Sequence, residues 1–155
     1  MIRGFALTFG IIYLIAGILG FVPGVTHHVM TPADTNVVTD PGLVVEEGYG
    51  LLFGLFPINI LHNLFHIAIG IWGIVAAGSV SAAVGYSRSI AVIYGLLAIM
   101  GLFPVTNVLF GIIPLYGNDI WLHALSAAVA AYFGFFAPAT HRNDRVAGRP
   151  TTHTT

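Results

Sequence analysis

Three histidines and one aspartate recur at a spacing suited to holding an ion, a tetrapyrrole or a proton. His62 and His66 stand four residues apart, as do Asp119 and His123. On a helix, residues at i and i+4 share a face. Imidazole nitrogens from one helix, joined by imidazole and carboxylate from a facing one, suit Zn²⁺, Cu²⁺ or iron. On a wheel of 100° per residue, Asn59, His62, Asn63, His66, Gly70 and Gly73 fall within a sector of about 100°. Asp119, His123, Ser126, Ala127 and Ala130 share a face further along. Asn59, Asn63 and Asn118 are the supporting polar groups.

Four readings of this constellation compete. The plainest is that the polar groups hydrogen-bond across helices and fix their packing, with Asn118 as an N-cap and Asp119 stabilising the first turn. Bonds of that kind contribute about 0.6–2 kcal/mol each in a membrane. A metal centre would use His62, His66, His123 and Asp119. A haem would instead be ligated from both sides by His66 and His123, with glycines forming the slot. A proton or small-solute path would use the same groups as relays.

Enzyme signatures are weak. The run His62-Asn-Leu-Phe-His66 has the i, i+4 histidines of a zinc-protease helix, but Asn63 holds the position where that chemistry needs a glutamate base. No Ser-His-Asp order or phosphate-cradling glycine loop stands out, and no catalytic residue is nominated. The reading leans away from an enzyme.

The elements that must position these groups are apolar helices. The 155-residue chain is 57% hydrophobic and 7% charged, against about 25% charged in a soluble domain. A bilayer core of about 30 Å takes about 20 helical residues. Four stretches approach that length, at 4–22, 57–77, 85–103 and 119–136. They predict an all-α, four-helix transmembrane bundle over 1–137, with the lipid bilayer as its solvent. The first stretch is read as a retained signal-anchor. Small residues on the histidine faces, and Gly10, Gly17 and Gly20 on the first helix, allow close helix approach.

Charge supplies orientation. Arg3, Arg88, Arg142, Arg145 and Arg149 fall on the N-terminus, the middle loop and the tail, whereas the opposite loops hold Asp34, Asp40, Glu46 and Glu47 but no Lys or Arg. The positive-inside rule places both termini in the cytoplasm. Five arginines over three segments make no basic stripe, which argues against nucleic-acid binding. Without cysteine, disulfides and thiolate metal sites are excluded. The outer segment 24–50 is long for a connection, and its run 42–45 is expected to fold back onto the bundle. The polar tail 138–155 is expected to be disordered and cytoplasmic. His27, His28, His141 and His153 read as solvated, Tyr116 and Trp121 as interfacial anchors, and Trp72 as lipid-facing.

Two patterns each occur twice, in the same order. Tyr-x6-Gly-x2-Pro appears at Tyr13, Gly20, Pro23 and at Tyr94, Gly101, Pro104; Gly-x-x-Pro, eight residues, His appears at Gly54, Pro57, His66 and at Gly111, Pro114, His123. The expectation is two duplicated helical hairpins related by a pseudo-twofold axis along the membrane normal, with His66 and His123 at one depth. A rival match pairs Gly54-Leu-Phe-Pro57 with Gly101-Leu-Phe-Pro104 and would leave Ile113 where a histidine belongs.

The run Asn59-x-x-His62-Asn63-x-x-His66, followed by Asp119-x-x-x-His123, resembles a bacterial family of small four-helix membrane proteins catalogued as a domain of unknown function. The resemblance covers roughly 4–136 and implies a four-helix bundle in a bacterial inner membrane; it implies no activity. The function expected first is a non-enzymatic subunit or scaffold, packed into a homo-oligomer or with other membrane subunits. The alternatives are a cofactor-binding protein holding a metal (Zn, Cu or Fe) or haem through His66 and His123, and a proton or solute pathway.

Overall fold

The computed structural model describes residues 1–28 and 50–137. Expectations for Asp34, Asp40, Glu46, Glu47, the run 42–45 and the tail with its arginines and histidines lie outside the described residues. Four helices dominate: α1 (Ile2–Leu19), α2 (Ile60–Ala76), α3 (Val80–Gly101) and α4 (Asn118–Ala131), the last continued by a π-helical turn at Tyr132–Phe136. α1 packs chiefly on α2, and α3 on α4. Three helices are long and apolar enough to cross a membrane, namely α1, α3 and α4 with its π turn. α2 has 17 residues, about 25 Å at 1.5 Å per residue. It is shorter than the expected 57–77 because Pro57 lies in a strand.

That strand departs from a purely helical expectation. β1 (Thr26–His28), β2 (Gly50–Leu52) and β3 (Phe56–Ile58) form an antiparallel three-stranded sheet in that order. β4 (Val108–Leu109) pairs antiparallel with β5 (Ile113–Pro114). Both hairpins turn on Phe-Gly at positive φ, with Phe53 at 54° and Gly54 at 71°, and Phe110 at 52° and Gly111 at 70°. Positive φ at both central residues is what a type I′ hairpin turn requires. Leu55 N–H closes the first turn onto the Leu52 carbonyl, and Ile112 N–H closes the second onto Leu109. The repeated Gly-x-x-Pro is thus a hairpin turn followed by the strand that enters a helix.

The hairpins are tied across the halves. Asn118 Nδ2 donates to the Leu55 carbonyl at 3.2 Å, and Asn59 Nδ2 donates to the Ile112 carbonyl. Leu55 and Ile112 are matched residues of the two turns, so each turn is held by the helix start of the other half. Asn59 also caps α2, its Oδ1 accepting from His62 N–H at 2.9 Å. Gly117, at φ 66°, precedes α4 as its N-cap residue. Asn118 therefore does not cap α4; it is exposed and reaches the opposite hairpin.

Glycines set the α1–α2 seam. A Cβ on Gly10 would stand 2.7 Å from the Gly70 carbonyl oxygen, and one on Gly17 2.7 Å from the Asn63 carbonyl oxygen. Only glycine allows this approach. The apolar core beyond it joins Phe9, Tyr13, Tyr86, Ile90 and Tyr94. Trp72, expected to face lipid, is 40% exposed and meets the Tyr86 ring edge-on at 5.1 Å. Arg88, read as a middle-loop residue, lies within α3, exposed, its Nε donating to the Gly134 carbonyl of the π turn at 2.8 Å.

Candidate functional site

α2 and α4 start beside the two hairpins, and their first two turns carry the polar residues inward. His62, Asn63, His66, Gly70 and Gly73 are buried on α2, and Asp119, His123 and Ser126 on α4. The three imidazoles converge: each offers a ring nitrogen within 4.8 Å of the others. His62 Nε2 and His66 Nε2 are 3.1 Å apart. Either one N–H donates to the other's lone pair, or both lone pairs face one cation. A Zn–N bond of about 2.0–2.1 Å places two tetrahedral ligand nitrogens about 3.3 Å apart. The His62–His66 separation is already near that value, and His123 offers a ring nitrogen within 4.8 Å of both.

Asp119 is 1% exposed, and its Oδ2 lies 3.6 Å from His62 Nδ1. Sequence expectation grouped Asp119 with the ligands. In the fold it stands behind His62, on the ring nitrogen opposite the one that meets His66, where a carboxylate orients a metal-bound imidazole. Asn63 lies beside Gly20, whose missing side chain makes its room. Asn59 caps α2, and Asn118 is outside the cluster. His27 is exposed in β1 and stands apart from it.

Two tyrosines that sequence reasoning left without a role complete the surroundings. Tyr13 of α1 meets His66 edge-on at 5.1 Å; Tyr94 of α3 meets His123 at 5.0 Å; and the two phenol rings are 5.3 Å apart. The signal was present, since Tyr13 and Tyr94 head the repeated pattern. Tyr13 Oη and Ser126 Oγ share a 2.7 Å hydrogen bond.

Five buried polar atoms of the cluster have no hydrogen-bond partner: the Nδ1 atoms of His62, His66 and His123, Asn63 Oδ1 and Asp119 Oδ2. A buried group left unpaired costs about 1–3 kcal/mol; two of the five, His62 Nδ1 and Asp119 Oδ2, face each other at 3.6 Å. The arrangement offers three neutral nitrogen donors, a carboxylate behind one of them and an apolar surround.

No curated protein and no solved structure matches the chain. The family model for a domain of unknown function, DUF4383, matches residues 3–136. The chain belongs to that family.

Proposed function

We propose that this is a multi-pass membrane protein that binds one transition-metal ion through His62, His66 and His123, with Asp119 as the positioning carboxylate. The observation that carries the reading is the convergence of three buried imidazole nitrogens within 4.8 Å of one another. Imidazole donors without thiolate suit Zn²⁺ and Cu²⁺, with Cu²⁺ at the head of the affinity order for nitrogen sites. Three protein ligands leave a fourth position open, as in zinc sites that take water or substrate. If α2 spans along with the three longer helices, the positive-inside rule would favour cytoplasmic termini in a bacterial inner membrane, with the site in the outer half. The matched Tyr–His contacts and matched turns support descent of the two halves from one hairpin.

Haem is the weaker alternative. Ligation of haem by His66 and His123 would need clear space around the His66 nitrogen for the macrocycle, and the His62 ring nitrogen stands 3.1 Å from it. Elemental analysis of the purified protein tests the principal reading. It should carry about one Zn or Cu per chain, lost on replacing His66 and His123 together by alanine. A folded, metal-free protein that refuses both ions on reloading would overturn it.

A further inference from the structure

Two cavities flank the histidine cluster, and they occupy matched places in the two halves. The smaller, about 130 Å³, lies between α2 and α3 and touches all three histidines. The larger, about 340 Å³, lies between α1 and α4 and touches His66 and Asp119. Except for His66, every residue lining the smaller has its repeat counterpart in the larger. The counterparts differ in size or polarity at five places: Leu97 is matched by Ala16, Phe65 by Leu122, Ile113 by Phe56, Ile69 by Ser126, and His62 by Asp119. The larger cavity is roomier, and its polar lining includes a hydroxyl and a carboxylate where the smaller has isoleucine and imidazole.

We infer that the α1–α4 cavity binds a membrane-soluble molecule with an apolar body and an oxygen-bearing head, the head meeting His66 and Asp119. Its size reaches the lower range of small-molecule pockets, about 300–1,000 Å³. Its rim residues Ile12 and Leu125 are 56% and 65% exposed, so it opens sideways onto the bundle surface, where lipid would supply the ligand. At its floor, His66 is 6% and Asp119 1% exposed; among the described residues His66 Nδ1 has no hydrogen-bond partner, and Asp119 Oδ2 has only the 3.6 Å approach of His62 Nδ1. An imidazole N–H needs an acceptor and a carboxylate needs a donor; a carbonyl serves the first and a hydroxyl serves both. Water alone would satisfy these atoms but would leave the apolar remainder of the cavity unfilled.

The cavity shares His66 and Asp119 with the proposed metal centre, so the test is run on both chelated and metal-loaded protein, with metal content measured separately. Native mass spectrometry of the full chain counts adducts with three probes: a decyl-substituted benzoquinone, dodecanol and dodecane. The expected result is one saturable quinone or alcohol adduct per chain, with dodecane failing to compete; which of the two binds tells carbonyl from hydroxyl. Ala16→Leu, which copies the lining of the smaller cavity, should weaken that adduct at least about tenfold while metal content stays unchanged. Leu125→Trp at the exposed rim should do the same, and serves if Ala16→Leu fails to fold. Dodecane binding as well as the oxygenated probes, no saturable adduct in folded protein, or indifference to the folded cavity variant would overturn the inference.

Discussion

Replacing Gly10 by alanine places a methyl group 2.7 Å from the Gly70 carbonyl oxygen and 2.7 Å from the Ile74 backbone nitrogen. Both neighbours are backbone, so no side-chain rotation relieves the clash. Ordinary contact begins at 3.4 Å, which requires α1 and α2 to part by about 0.7 Å. A gap of that size forfeits about a quarter to a half of each dispersion contact; over about 40 atom pairs at about 0.15 kcal/mol each, the seam loses about 1.5–3 kcal/mol. The better helix propensity of alanine returns up to about 1 kcal/mol, leaving Gly10→Ala destabilised by about 0.5–3 kcal/mol. Gly85→Ala is the matched control, since a Cβ there meets nothing within 4 Å, and it should be neutral or gain up to about 1 kcal/mol. Unfolding in mixed micelles by SDS titration, followed by circular dichroism, reads the difference. The reversed substitution, Gly70→Ala, presses on the Leu14 backbone, so the double variant should cost less than the sum because one separation clears both methyl groups. If Gly10→Ala unfolds at the same SDS fraction as Gly85→Ala, the glycine-set seam is wrong.

Other consequences follow from the hairpins and caps. Asn59→Ala removes both the α2 cap and the bond to the second hairpin and should cost about 1–3 kcal/mol in the same titration; Asn59→Asp, which keeps the cap, should recover part of it. Phe110 is 87% exposed at φ 52°, so Phe110→Asn should stabilise the fold by up to about 1 kcal/mol, whereas Gly111→Ala should cost about 1–2 kcal/mol. Asp119→Asn should keep one metal per chain yet weaken its affinity about 10–100-fold by competition against a chelator.

The helices were legible in the sequence because apolar length and glycine spacing are local signals. So was the inward face of α2, since six small or polar residues at helical spacing have nowhere else to point in an apolar chain. The hairpins were harder to see. A type I′ turn is ordinarily announced by Asn-Gly or Asp-Gly; here phenylalanine holds the first turn position, so Leu52-Phe-Gly54 and Leu109-Phe-Gly111 carried no hairpin signal and lay in the connections between the expected helices. Asp119 was ambiguous because a carboxylate at a helix start is equally a dipole partner; its burial behind His62 depends on the whole bundle. Tyr13 and Tyr94 were visible as repeats, but their meeting with His66 and His123 is a contact between helices far apart in the chain, which spacing along one helix cannot reveal.

X-ray absorption at the metal edge, on chelator-stripped protein reloaded with one equivalent of Zn²⁺ or Cu²⁺, addresses the three-imidazole centre most directly. The predicted spectrum has about three imidazole nitrogens at about 2.0–2.1 Å, with multiple scattering from the rings. A first shell of oxygen alone, or a spectrum unchanged when His62, His66 and His123 are all replaced by alanine, would contradict it.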